Sequence, residues 1–169
     1  MRRRHTRDDY LHLIDRLRTA MPDIALSTDM IVGFPGETVE EFEDTLSLTS
    51  AVGYHSMFSF KYSERPNTLA SKRLTDDVPA AEKTRRIVAL QELQKGIQEK
   101  IHRRRVGRVV ELLVDSTSRR RDWELAGRTT GNTVVNFSAP KELLGRLVRV
   151  RITRSGPFSL HGELLATIS

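Results

Sequence analysis

Apolar positions in the first two thirds of the chain recur at two alternating periods, and each period predicts an element. Thr6 with Asp9 caps a helix from about Arg7 to Ala20, and an apolar strand with Ile24, Leu26, Met30 and Val32 on one face follows. Thr38-Val39-Glu40-Glu41 reads as a capping box that opens a helix from Glu40 to about Ala51, closed by Gly53. HSMFSFKYS from His55 places Phe58, Phe60 and Tyr62 on one face of a second strand. A loop through Arg65-Pro66-Asn67-Thr68 leads to Pro79, which opens a long charged helix to about Arg104 with a packing stripe of Ile87, Leu90, Leu93 and Ile97. This alternation predicts parallel strands covered by helices.

Past the Arg103-Arg104-Arg105 run the pattern turns to short strands. Candidates are Arg108 to Val114, Trp123 to Gly127, Thr133 to Phe137, Leu147 to Thr153 and Ser159 to Thr167, separated by turn residues such as Gly131-Asn132 and Ser155-Gly156-Pro157. Five short strands predict a small OB-like barrel, a fold that commonly offers a basic face to looped or single-stranded nucleic acid. The expected organisation is a domain at 1–105 and a second at 106–169.

The segment from Ile24 to Thr38, IALSTDMIVGFPGET, carries the strongest local signal. Its second strand face, with Ala25, Ser27, Asp29 and Ile31, points away from the helices and toward whatever fills the other side of the sheet. Gly33 and Gly36 permit backbone angles and close approaches that a Cβ forbids, and Pro35 stiffens the turn. The helix start beyond it offers unpaired N–H groups and a positive dipole end, a suitable place for a carboxylate or other anion. The same spacing also suits an ordinary strand-to-helix corner.

Charge adds a partner class. The chain has a net charge of +6 and a pI near 10, which points to an acidic partner, with nucleic acid first. Residues 1–105 hold 18 Lys/Arg against 16 Asp/Glu and residues 106–169 hold 10 against 6, so the C-terminal part carries +4 and the N-terminal part +2. Arg119, Arg120, Arg121, Arg128, Arg149, Arg151 and Arg154 are the available phosphate partners there. Zero cysteines exclude disulfides and thiolate metal sites within these residues, and the five histidines show no ligand-like spacing. No membrane-spanning run occurs, and MRRRHTRDDY lacks the apolar stretch of a signal peptide, so a cytoplasmic protein is expected.

TDMIVGFPGET, FSFKYSERPNTLA, GRTTGNTVVNF and SGPFSLHGEL, in that order, make the chain resemble the C-terminal half of the MiaB-type radical SAM tRNA methylthiotransferases. The resemblance implies an α/β partial radical-SAM (β/α) barrel followed by a small all-β OB-like TRAM barrel. It implies addition of a 2-methylthio group to isopentenyladenosine in the tRNA anticodon loop, with S-adenosylmethionine and two 4Fe–4S clusters as cofactors. Each cluster takes three cysteines in that family, and this chain has none. The expectation is therefore a fragment that lacks the N-terminal domain and the cluster-bearing part of the barrel, with the missing part of the same protein and the tRNA anticodon stem-loop as partners.

By the same resemblance Asp29, Ile31 and Gly33 are the cofactor-binding candidates. The strand ending in Ile31-Val32-Gly33 corresponds to the family strand that lies against the adenine of S-adenosylmethionine. The common pattern GxIxGxxE is met only in part, with Asp29 at its first glycine and Gly36 at its glutamate, leaving Glu37 as a substitute. Asp29 suits either a polar group of a ligand or an arginine inside the barrel. Asn67 stands where the YSxRPGT element of the family has glycine, and asparagine tolerates the left-handed conformation. Catalytic residues are not locatable on these residues. The alternatives are a stand-alone RNA-binding module and a fragment of a methylthiotransferase acting on a ribosomal protein.

Overall fold

The computed structural model describes residues 5–118 and 123–168 and divides the chain into two compact units, Met1–Ile97 and Gln98–Ser169. The first unit opens with helix α1 (Arg7–Ala20), whose Thr6 and Asp9 form the reciprocal capping box expected of them. Strand β1 (Ser27–Val32), helix α2 (Val39–Val52) and strand β2 (Ser56–Lys61) follow. Thr38 and Glu41 cap α2 reciprocally, and Gly53 ends it in the left-handed region. The two strands pair in parallel with Asp29 beside Phe58 and Ile31 beside Phe60. A short helix α3 (Leu69–Arg73), capped by Thr68, was not expected, and α4 (Ala80–Arg103) is the long charged helix. Asn67 takes a positive φ of 66°, as its position in the turn requires.

One face of the two-stranded sheet is covered and the other is open. Met30 and Met57 lie between two apolar groups, one built on Ile14, Val52 and Tyr54 and the other on Val32, Phe42 and Leu90. Helices α1, α2 and α4 thereby close over the face that carries Leu26, Met30 and Val32. Gln94 of α4 is buried and its amide donates to the Tyr54 carbonyl at 2.8 Å, a contact absent from the apolar stripe read in the sequence.

The second unit is a closed barrel of β3 (Val109–Thr117), β4 (Glu124–Thr129), β5 (Val134–Ser138), β6 (Leu147–Ser155) and β7 (Leu160–Thr167), in the order β3-β4-β5-β7-β6. All five expected strands are present, and β6 closes the ring by pairing with β3. The β5–β7 contact is parallel and the rest are antiparallel. Alternation sends Leu112, Val114, Val135, Phe137, Val148, Val150 and Ile152 inward. Two glycines let the strands cross closely: a Cβ on Gly127 would sit 2.5 Å from the Leu113 carbonyl oxygen, and one on Gly162 would sit 2.5 Å from that of Arg151.

Candidate functional site

The turn after β1 is held by charged groups that the local sequence does not reveal. Gly33 is buried with a φ of 70°, and its N–H donates to Glu37 Oε2 at 2.6 Å. The same oxygen accepts from Arg86 Nη1 at 2.6 Å, and that guanidinium also donates to the Glu37 carbonyl at 2.9 Å and to Glu82 at 2.8 Å. Burial by itself would lower the Arg86 pKa, but the hydrogen bonds to Glu82 and Glu37 outweigh it and raise the value. A Cβ on Gly33 would fall 2.4 Å from Lys83 Cγ, so Lys83 fills the space that the glycine leaves. Lys83 is itself buried, pairs with Asp76 at 2.6 Å and lies 5.3 Å above the Tyr62 ring.

The expectation of free N–H groups waiting for an anion is met from within the chain. Gly33 N–H goes to Glu37, Gly36 N–H to Asp77 at 2.7 Å, and Thr38 N–H to Glu41 at 3.0 Å. An open depression of about 560 Å³ beside the turn is lined by Ile31, Phe34 and Pro35 together with the acidic residues Glu37, Glu41 and Asp44. Its charge repels an anion and suits a cation.

The structure brings two of the three cofactor-binding candidates together. Asp29 and Ile31 stand on the open face of the sheet beside Phe58 and Phe60, with Ile31 39% exposed, Phe58 64% and Phe60 52%. Among the described residues the Asp29 carboxylate has no ion-pair partner. Gly33, two residues beyond Ile31, is buried, with its N–H bonded to Glu37 and the space beside its Cα filled by Lys83. The open face thus presents two aromatic rings and an isoleucine beside a carboxylate. The chain offers no thiolate to iron, and among the described residues no cluster of His, Asp and Glu is placed to hold a metal.

The barrel arginines divide into paired and free. Arg128 Nε lies 3.1 Å from Asp115 Oδ2, and Arg128 Nη1 donates to Asn132 at 2.9 Å. Arg149 donates from Nε and Nη2 to Glu111 Oε1 at 3.0 and 2.9 Å across the β3–β6 ladder. Exposed pairs of this kind contribute at most about 1 kcal/mol, so a phosphate competes for them readily. Arg151, next along β6, makes no side-chain hydrogen bond or ion pair among the described residues. Arg119, Arg120 and Arg121 lie outside the described residues.

Two family models match in this order. Residues 1–49 match the radical SAM superfamily and residues 103–165 match the TRAM domain. Proteins named tRNA-2-methylthio-N(6)-dimethylallyladenosine synthase are similar over almost the whole chain. The one from Alkalilimnicola ehrlichii is 47% identical over 98% of this chain and 37% of its own length. Those from Acetivibrio thermocellus and Aquifex aeolicus are each 44% identical, over 98% and 99% of this chain and 34% and 37% of their own lengths. This chain resembles the tRNA methylthiotransferases of the radical SAM superfamily. It spans little more than a third of the length of these curated relatives. The five-stranded barrel is what the TRAM match describes.

What the sequence reading missed at this site lies far along the chain from the turn. Arg86 and Lys83 occupy α4, a helix rich in charged residues whose packing stripe was read from its apolar positions alone. Helical spacing carries the apolar stripe through positions 83 and 86 and leaves the exposed Arg85 and Lys95 on the opposite face, so a signal for the two buried cations was present in the periodicity although their partners were not.

Proposed function

We propose that these residues work as part of a radical SAM tRNA methylthiotransferase that adds a 2-methylthio group to isopentenyladenosine in the tRNA anticodon loop. One observation carries this reading: the similarity to enzymes of that name covers 98% to 99% of the chain, and so both units, at 44% to 47% identity. The first unit acts as a portion of a (β/α) barrel, with Ile31, Phe58 and Phe60 as the apolar wall against the adenine of S-adenosylmethionine and Asp29 as the partner of its cationic group. Gly33 contributes by letting the turn close over Lys83. Two 4Fe–4S clusters require thiolates from other residues of the enzyme, because this chain contains no cysteine. The cofactors supply the redox and radical chemistry when bound, and the protein positions them.

The small barrel holds the anticodon stem-loop by its phosphates. Arg151 is poised for this, and Arg128 and Arg149 exchange their internal carboxylates for phosphate. In fluorescence titrations of the whole chain with an anticodon stem-loop RNA, affinity should fall steeply as salt rises. Replacing Arg149 and Arg151 with alanine should weaken binding across RNA sequences and make the salt dependence shallower, with most of the loss traced to Arg151. Identical affinities and slopes for wild type and double variant would remove both arginines from the RNA surface.

A further inference from the structure

We propose that the barrel end carrying the β6–β7 turn is a stacking site for an unpaired RNA base, with Phe158 as its platform and unpaired arginines as its phosphate contacts. The inference rests on the RNA-binding reading of the barrel and assigns that grip to a particular surface. Phe158 is 74% exposed, at the tip of the turn Ser155-Gly156-Pro157-Phe158-Ser159. Exposure of a large ring on a turn has no packing benefit for the barrel, and Phe158 is not among the residues that form or cover its core.

The turn is rigid. Gly156 N–H donates to the Ser159 carbonyl at 2.8 Å, and Pro157 fixes the backbone between them. The Gly156 carbonyl accepts from the Nδ1 of buried His102 at 2.9 Å, which pins the turn from below and requires that nitrogen to carry the proton. A ring held in this way loses little freedom when a base stacks on it.

Charge at the same end decides what stacks there. Gly107 N–H donates to the Ile152 carbonyl and Ile152 N–H donates to the Arg108 carbonyl, so the chain entering β3 runs beside the end of β6. Arg104, Arg105 and Arg108 on that segment and Arg154 on β6 make no side-chain hydrogen bond or ion pair among the described residues. Arg128 and Arg149, chosen from the sequence, are already partnered. An open depression of about 240 Å³ lies at the turn, lined by Arg103, Ser155, Gly156 and Pro157 with Glu99. An exposed ring on a barrel end that also carries unpaired arginines fits a nucleic acid loop, whose bases stack and whose phosphates pair, better than an apolar protein surface.

The test uses the whole chain with two synthetic RNAs, a hairpin with an unpaired loop and a blunt duplex of the same stem. Phe158→Ala should weaken hairpin binding by about fivefold or more while leaving duplex binding and the salt slope unchanged. Phe158→Trp should retain hairpin affinity, and both variants keep the barrel core intact, which a thermal melt checks. Replacing Arg105, Arg108 and Arg154 together should make the salt slope shallower by about 2, at roughly 0.7 per lost single-strand phosphate contact. Wild-type hairpin binding that neither set of changes reduces overturns the stacking site and leaves the RNA reading in place. Absence of wild-type binding to either RNA at low salt overturns the RNA reading itself. Displacement of the hairpin by polyglutamate, with no difference between Phe158→Ala and wild type, assigns the end to an acidic protein and overturns the proposal.

Discussion

At the scale of single residues, the turn after β1 depends on Arg86. Its side chain is 4% exposed and its partner Glu37 is 12% exposed, so the two charges neutralise each other away from water. Arg86→Ala would leave the Glu37 carboxylate buried without a cation and should destabilise the first unit by about 3–5 kcal/mol, read as lost amide protection in β1 and α2. Equal protection in the variant would show that the Gly33 N–H alone holds Glu37. A neighbouring group sets a pH dependence. Hydrogen bonds from Arg85 and Arg86 hold the Glu82 carboxyl at about 2, below its ordinary 4.5. A carboxyl that binds its proton more weakly when folded stabilises the fold above the unfolded value, and that contribution is lost as pH falls through the folded one. The difference in urea midpoint between wild type and Glu82→Gln should therefore be constant at neutral pH and shrink between about 4.5 and about 2. A difference that persists unchanged at pH 2 would contradict the pairing.

At the scale of elements, the two sheets are unequally protected. The β1–β2 pair has its helical face covered and its other face open, with Phe58, Phe60 and Ile31 exposed beside Asp29. The barrel strands of the second unit pair on both sides and close on themselves. Hydrogen exchange of the chain by itself should thus be faster in the strand at 24–33 than in β3, β6 and β7, and residues 1–105 should unfold before 106–169. Equal or greater protection of β1 would mean that its open face is covered, and would count against the half-barrel reading. The capping boxes at Thr6 and Thr38 do not alter this ranking, because a cap stabilises the ends of α1 and α2 and leaves the sheet face unchanged.

At the scale of the whole molecule, the chain combines an open sheet face with a complete absence of cysteine. Reconstitution with iron and sulfide should leave it colourless, since clusters of this kind are held by thiolates and the sequence has no cysteine. Calorimetry should show weak or undetectable binding of S-adenosylmethionine, because a pocket walled by Asp29, Ile31, Phe58 and Phe60 would cover only one side of it. A stable iron–sulfur chromophore on this chain, or tight binding of S-adenosylmethionine, would overturn the division of labour proposed here. No helix among the described residues is long and apolar enough to cross a membrane.

The order of elements apart from the short α3, the two capping boxes and the five barrel strands were legible in the sequence. Each follows from neighbours within a few residues, where backbone geometry imposes a period of 3.6 or 2 and a cap must lie three residues from its partner. The face of β1 that carries Asp29 and Ile31 was legible for the same reason. Only the tertiary structure decided that Glu37 meets Arg86, 49 positions away, and that Gly33 is closed by Lys83. The same holds for Arg149, which faces Glu111 across the barrel while Arg151 and Arg154 face solvent. These pairings depend on strand register and on which turn of α4 reaches the sheet. Periodicity sorts residues onto faces, whereas the identity of the group opposite each one is set by contacts between segments distant along the chain.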